Sequence, residues 1–228
     1  MGRTARIPLP ALAAASLVLV TTALVLVFFV APTDANQGFS QRIFYFHVSI
    51  AITAYACFAG AAWKAFRYLS KRDPRADLES YVCVHQGVIF GTLVLLTGSI
   101  WAKISWGRWW LWSSDQLVLF LVLFLFYCAY FMLRFSLDPG PQRANLSAVY
   151  ALFGVVLIPV SFAAIRLAKD IIHPVVFTLH GPNFGGWILV TYCVAQVAML
   201  ILAYTLYRVE LAGKLLDGRL RELSEVLA

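Results

Sequence analysis

Six stretches of largely apolar residues, separated by short polar segments, dominate this sequence. A helix needs about 20 consecutive apolar residues to cross the hydrocarbon core of a bilayer, where backbone polar groups must be satisfied internally. We therefore expect an all-α fold, a polytopic membrane protein with a single six-helix domain over residues 1–228. The predicted transmembrane helices are residues 9–30, 44–66, 82–104, 117–135, 146–165 and 187–207.

The composition agrees with this prediction, since 61% of the residues are hydrophobic and only 13% are charged. The net charge of +7 does not indicate nucleic-acid binding, because the basic residues cluster beside the apolar stretches. The first stretch has the position of a signal peptide. Its apolar core is longer than the usual 7–15 residues or so, and we predict that it is retained.

The distribution of Lys and Arg predicts the orientation. Thirteen of them flank one set of helix ends and five flank the other. The positive-inside rule then places both termini in the cytoplasm and the loops 31–43, 102–116 and 166–186 on the outer face. Residues 208–228 repeat leucine at near-helical spacing and are expected to form a cytoplasmic extension of the last helix. This extension is either amphipathic and bound to the inner leaflet or simply a solvated helix end.

The second outer loop is rich in tryptophan. It contains Trp106, Trp109, Trp110 and Trp112. Tryptophan favours the membrane interface, so an aromatic belt is one interpretation. Four indoles in seven residues are also typical of a platform on which a large planar ligand stacks.

Two histidines on the same outer face are candidate ligands of a haem iron. His47 lies near the outer end of the second span, and His173 lies in the third outer loop, which also contains His180. Two imidazoles on opposite sides of a porphyrin would supply both axial bonds. His85, near the inner end of the third span, is expected to be a buried hydrogen-bonding residue or, as the weaker alternative, an inner haem ligand.

Positive side chains on the outer face are candidate partners of haem propionates through charge-assisted hydrogen bonds. They are Arg42, Lys103, Arg108, Arg166 and Lys169. None of the cysteines belongs to a CxxC or CxxCH motif, so neither a zinc site nor covalent attachment of haem is indicated.

Three segments resemble a known family. Arg42 to Val48 (RIFYFHV), Leu96 to Lys103 (LTGSIWAK) and Trp106 to Trp112 (WGRWWLW) are similar to the CcmC type of the tryptophan-rich, haem-handling proteins of cytochrome c maturation. The resemblance implies non-covalent haem b held between His47 and His173 as the axial ligands, with the Trp loop against the haem. It implies a carrier rather than an enzyme, and no phosphate-binding loop indicates otherwise.

The resemblance also implies location and partners. The expected location is the bacterial inner membrane, crossed several times, with the haem site facing the periplasm. The expected partners are a CcmE-type haem chaperone that receives the haem, the ABC components CcmA and CcmB, and a small CcmD-type subunit. One departure is visible: the acidic residue that usually follows the last Trp is Ser113 here, and Asp115 lies two positions later.

Two other functions remain open from the sequence. The first is a synthase-type relative that attaches haem to apocytochrome c, although such proteins have more spans and a large outer domain. The second is a membrane transporter or channel, which would need polar residues along its spans. His85, Gln86 and Gln196 are the main ones inside the predicted spans.

Overall fold

The computed structural model describes residues 7–35, 37–167, 177–178 and 181–227. It confirms the all-α class and the six helical segments that are long and apolar enough to cross a membrane. All but the first and fourth extend well beyond the predicted spans. The six segments are Leu9–Val30, Phe39–Lys71, Pro74–Trp106, Asp115–Phe135, Pro141–Ala163 and Gly186–Leu227.

Seven α-helices build these segments. They are α1 (Leu9–Val25), α2 (Arg42–Lys71), α3 (Pro74–Trp106), α4 (Asp115–Phe135), α5 (Pro141–Val155), α6 (Leu157–Leu167) and α7 (Gly186–Leu227). A π-helical turn at Leu26–Val30 prolongs α1, and a 3-10 turn at Phe39–Gln41 precedes α2. A two-residue antiparallel pair, which the sequence did not predict, joins β1 (Phe177–Thr178) to β2 (Gly181–Pro182).

Local sequence explains where α2 and α3 end. Arg72 terminates α2 in the left-handed conformation, with φ of 56°. The Asp73 side chain then accepts a hydrogen bond from the backbone N–H of Arg75, and Pro74 takes the first helical position, where its missing N–H costs nothing. Gly107 ends α3 with φ of 73°, a conformation that glycine adopts without steric penalty.

The fifth span is interrupted, whereas the sequence predicted one helix over residues 146–165. α5 ends at Val155 and α6 begins at Leu157, because Pro159 cannot donate to the carbonyl of Val155 and its ring clashes with that carbonyl. Val156 instead donates its N–H to the Phe153 carbonyl at 3.2 Å. The span therefore bends near its middle.

The core of the bundle is a stack of rings between glycines. The Phe58 ring of α2 and the Tyr127 ring of α4 lie parallel, with centroids 3.9 Å apart. A Cβ at Gly87 of α3 would collide with the Phe58 ring, and a Cβ at Gly154 of α5 would lie 2.7 Å from Tyr127. Glycine on both sides thus lets four helices approach closely, as small residues do in membrane proteins.

α1 is a packed element of the bundle. It lies along α7, where the Ser16 and Thr205 hydroxyls are 2.7 Å apart and both residues are buried. Ala23 of α1 and Ala195 of α7 are fully buried in the same cluster. The first span is therefore held by contacts along its length.

α7 is much longer than a bilayer requires. Its 42 residues extend over about 63 Å at the usual rise per residue, twice the thickness of the hydrocarbon core. The prediction that the last span continues as a helix is confirmed through Leu227. Of the leucines of this extension, Leu211 is buried, whereas Leu216, Leu220 and Leu223 are exposed.

Candidate functional site

His47 lies in the second turn of α2 and faces α3. Its Nδ1 is 2.9 Å from the hydroxyl oxygen of Thr97. The Thr97 hydroxyl in turn donates to the backbone carbonyl of Leu93 at 2.7 Å. Because the single hydroxyl hydrogen serves this carbonyl, the hydroxyl oxygen accepts from the His47 ring. The contact therefore favours the tautomer with the proton on Nδ1 and the lone pair on Nε2.

The same tautomer suits a histidine that binds metal. A ligating imidazole commonly donates its second ring N–H to a neighbouring acceptor, which fixes the ring orientation and raises the basicity of the ligating nitrogen. Thr97 is such an acceptor for His47. The sequence did not identify this role for Thr97.

Gly98 places the His47 ring directly against the backbone of α3. A Cβ added at Gly98 would lie 2.9 Å from Cε1 of His47 and 3.6 Å from its Nδ1. The ring is therefore held between the Thr97 hydroxyl and the Gly98 α-carbon. Both positioning residues lie in the LTGSIWAK segment, and only the packing of α2 on α3 shows what they do.

Removing the Thr97 hydroxyl tests this arrangement. We expect Thr97→Val to weaken haem binding by about tenfold, because the ring loses the acceptor that sets its tautomer and orientation. Titration of the purified protein with haem measures the change. Thr92→Val is the matched control, since Thr92 bonds its own helix in the same way but lies on an exposed part of α3. Equal affinity of the two variants would contradict the assigned role of Thr97.

The tryptophan loop is shorter than the sequence indicated. α3 continues through Trp106, so the irregular segment between α3 and α4 runs from residue 107 to residue 114 rather than from 102 to 116. Trp106 is thus the last helical residue and packs edge to face on Trp101, with ring centroids 5.0 Å apart. At the usual helical rise it lies about 13 Å beyond Thr97 along α3.

The other three tryptophans differ in exposure. Trp109 is 59% exposed and Trp112 is 74% exposed, and both are therefore accessible for stacking. Trp110 packs against Trp112 with ring centroids 5.9 Å apart. Its indole N–H is buried and has no hydrogen-bond partner within the described residues. Buried donors are nearly always paired, so an acceptor from a ligand or from a further part of the chain fits here.

Trp101 connects the loops at this end. It lies one helical turn beyond Thr97, and its indole N–H donates to the Gln37 side chain at 3.4 Å. Gln37 belongs to the first outer loop, which is closed by the Asp34–Gly38 bridge. His47, Thr97 and Trp101 therefore lie at the same end of the bundle as the tryptophan loop.

His173 and His180 lie outside the described residues, but the ends of their loop are fixed. On one side Phe184 packs on Phe44, one turn before His47, with ring centroids 5.3 Å apart. On the other side the hydroxyl of Ser161 is 2.9 Å from that of Tyr55 on α2. The helix α6 that precedes this loop and Phe184 near the end of the loop are thus both in contact with α2.

The candidate propionate partners have different positions. Arg42 is buried and donates to the Pro32 carbonyl at 3.3 Å and to the Thr33 hydroxyl at 3.2 Å. It therefore braces the first outer loop, contrary to the expectation of a free cation. Lys103 donates to the Gly107 carbonyl at 3.0 Å, whereas Arg108 is exposed. The side chain of Arg166 and all of Lys169 lie outside the described part.

His85 at the opposite end of α3 is hydrogen-bonded, as predicted, but it is not buried. Its side chain is 43% exposed, and Nδ1 lies 2.9 Å from the Glu210 carboxylate of α7. Gln86 donates to the same carboxylate at 2.8 Å. The sequence did not indicate this pairing, because Glu210 lies beyond the predicted end of the last span. Within the described residues no group of three or more His, Cys, Asp or Glu residues could hold a metal ion.

The fold and this end of the bundle define a polytopic membrane protein that presents a positioned histidine beside a tryptophan-rich loop. A family model described as "Heme exporter protein C" matches residues 2–225. The chain therefore belongs to the heme exporter protein C (CcmC) family.

Individual relatives agree with this assignment. Heme exporter protein C of Escherichia coli is 35% identical over 152 residues, which cover 67% of this chain and 62% of the relative. The matched region thus spans less than two thirds of that protein. Heme exporter protein C of Bradyrhizobium diazoefficiens is 29% identical over the whole chain and 86% of the relative. That of Paracoccus denitrificans is 30% identical over 145 residues.

Proposed function

We propose that this protein binds haem b non-covalently at the outer face of the bacterial inner membrane and delivers it to a periplasmic haem chaperone. His47 and His173 are the axial ligands, and the tryptophan loop covers part of the porphyrin. Membership of the CcmC family supports handling of haem. The relatives carry the name heme exporter protein C.

The environment of His47 carries the proposal. An ionisable residue in a membrane-spanning helix carries a high free-energy cost of insertion and usually has a function. Here Nδ1 of the imidazole lies 2.9 Å from the Thr97 hydroxyl and the ring packs against Gly98, an arrangement that favours the tautomer with its lone pair on Nε2.

The tryptophan loop and the attached third loop supply the rest of the site. Trp109 and Trp112 offer exposed indole faces at the end of the bundle where His47 lies. The loop with His173 is anchored beside His47 through Phe184 and Phe44. We propose that a second imidazole, that of His173, approaches the same ligand from this loop.

The proposed function is transfer rather than catalysis. Haem is the cargo, and the side chains of this protein hold it by coordination and stacking. Transfer then requires one or both axial bonds to loosen as the chaperone forms its own link to the haem, and no side chain of this protein breaks a bond within the haem. The ABC components CcmA and CcmB and a CcmD-type subunit are the proposed partners in the membrane.

The visible spectrum of the purified protein tests the proposal. We expect a bis-histidine haem spectrum for the parent protein and loss of most bound haem in His47→Ala and in His173→Ala, because each removes an axial bond. Pyridine haemochrome assay of equal amounts of folded protein measures the haem content. His85→Ala is the matched control, since this histidine lies at the opposite end of α3 and should leave haem content unchanged.

Each outcome separates the competing functions. A colourless parent protein favours a transporter and contradicts the haem proposal. Unchanged haem in both outer variants, or loss only in His85→Ala, contradicts the ligand assignment. Cross-linking to apocytochrome c instead of to the haem chaperone favours the synthase-type alternative.

A further inference from the structure

A cavity lies at the other end of the bundle, away from His47. It has a volume of about 480 Å³ and opens between the ends of α3, α4, α5 and α7. Positive side chains dominate its lining, with one acidic group among them. The charged lining residues are Arg134, Arg143, Lys214, Asp217 and Arg221, and the aromatic ones are Tyr81 and Phe135.

Two of these cations are already arranged around Tyr81. The Arg134 guanidinium lies 4.9 Å from the centre of the Tyr81 ring, and Lys214 Nζ lies 4.7 Å from it. Arg134 is committed to Asp77 through two hydrogen bonds of 2.8 and 2.7 Å. Lys214 is 3.6 Å from Glu210, which His85 and Gln86 also contact. These contacts fix the positions of both cations.

The other two cations, Arg143 and Arg221, lack an acidic partner of this kind among the described residues. Both residues line the cavity, and Asp217 is the one acidic residue in the lining. The four cations of the lining therefore outnumber its single carboxylate. The site attracts an anion that can accept several hydrogen bonds, and guanidinium groups match phosphate oxygens particularly well.

The position of the cavity along the helices, relative to the hydrocarbon core, indicates the source of the phosphate group that it binds. Arg134 is one residue from the end of α4, and Arg143 is in the first turn of α5. Lys214 is 28 residues from the start of α7, or about 42 Å along the helix, which is beyond the hydrocarbon core. The cavity is therefore at headgroup level. Leu78 and the exposed ring of Phe135 line it too and offer apolar contact to acyl chains.

We propose that this cavity binds the headgroup of an anionic phospholipid, with Arg143, Lys214 and Arg221 contacting the phosphate. The positive-inside rule places this end in the cytoplasmic leaflet, which is rich in anionic lipids, and basic pockets between transmembrane helices bind such headgroups. α7 packs against α1, α2 and α3. The lipid would fill the gap between α7 and the α4–α5 turn.

Lipid binding by the full-length protein tests this proposal. Native mass spectrometry of the protein in neutral detergent, titrated with phosphatidylglycerol or phosphatidylcholine, reports bound lipid directly. We expect phosphatidylglycerol to bind at least about tenfold more tightly than phosphatidylcholine, and Arg143→Gln/Arg221→Gln to remove this preference, because each cation near the surface contributes severalfold. Arg143→Lys/Arg221→Lys should keep most of it, which shows that the loss does not come from misfolding.

A charge-matched variant separates the cavity from the general surface. Arg67→Gln/Arg219→Gln removes the same charge from α2 and α7, but neither residue lines the cavity. An equal loss of preference in this variant would overturn the proposal, as would the absence of any preference in the parent. Complete displacement by millimolar inorganic phosphate would assign the cavity to a free anion. Binding of a polyglutamate peptide in place of lipid would assign it to an acidic partner.

Discussion

Gly98→Val will fold as the parent protein does and lose most of its bound haem. The smallest addition at this position, a Cβ, already comes within 2.9 Å of Cε1 of His47, and the valine methyl groups fill more of the same space. The atom that must move is the far end of a side chain rather than backbone. The cost in stability is therefore small, but the imidazole leaves the place where the Thr97 hydroxyl holds it.

The size of this effect follows from how precisely a ligand must be placed. The side chains of a binding site tolerate displacements of only about 0.5 Å. Loss of the contacts that orient a metal ligand typically lowers metal affinity by about 10- to 100-fold. We expect a smaller loss for Gly98→Ala than for Gly98→Val. Haem titration, with thermal unfolding of the same samples, separates loss of the ligand from loss of the fold.

Gly60 provides the control for this prediction. It also lies in a membrane-spanning helix, but a Cβ there would be 3.7 Å from the sulfur of Cys83, an ordinary contact. Gly60→Ala should leave haem affinity unchanged. If Gly98→Val binds haem as tightly as the parent, His47 is not held for coordination in the way we propose.

The sequence predicted the parts of this protein that depend on local pattern. The six spans follow from apolar runs. His47 was singled out because a histidine at membrane depth is unusual. Each of these features depends on nearby residues, so no knowledge of helix packing was needed.

The features that the sequence missed depend on packing. Thr97 and Gly98 become visible as a cradle for His47 only once the register between α2 and α3 is known. The pairing of His85 with Glu210 joins residues 125 positions apart. Arg42 was expected to be a free cation because a sequence does not show that the first outer loop folds back onto it. The break before Pro159 could have been predicted from the proline itself.

The two ends of the bundle differ in chemistry. Within the described residues, the ion pairs all lie toward the end where Arg134, Glu79 and Glu210 are found. The end with His47 and the tryptophan loop is instead built from hydroxyl, amide and aromatic contacts. In the described part of the chain, ion pairs thus join the helices at one end, and the other end positions rings such as those of His47, Trp101 and Trp106. Stability and haem binding should therefore respond to different substitutions.

The largest effect on stability is expected at the pair formed by Arg134 and Asp77. The side chains are only 7% and 15% exposed, and the two hydrogen bonds of 2.8 and 2.7 Å join α4 to α3. Arg134→Met leaves the Asp77 carboxylate without its partner near the membrane interface. Breaking such a pair typically lowers the free energy of unfolding by about 3–5 kcal/mol. Unfolding in mixed detergent micelles measures this loss.

Two further variants test whether loss of the Arg134–Asp77 ion pair causes the drop in the free energy of unfolding. Arg134→Met/Asp77→Leu should recover most of the stability, because it removes both charges and fills the space with apolar side chains. Arg67→Met is the control, since Arg67 has no ion pair within the described residues and should change the free energy of unfolding by less than about 0.5 kcal/mol. If the double variant is as unstable as Arg134→Met, the loss comes from the stacking of Arg134 on Tyr81 rather than from an uncompensated carboxylate.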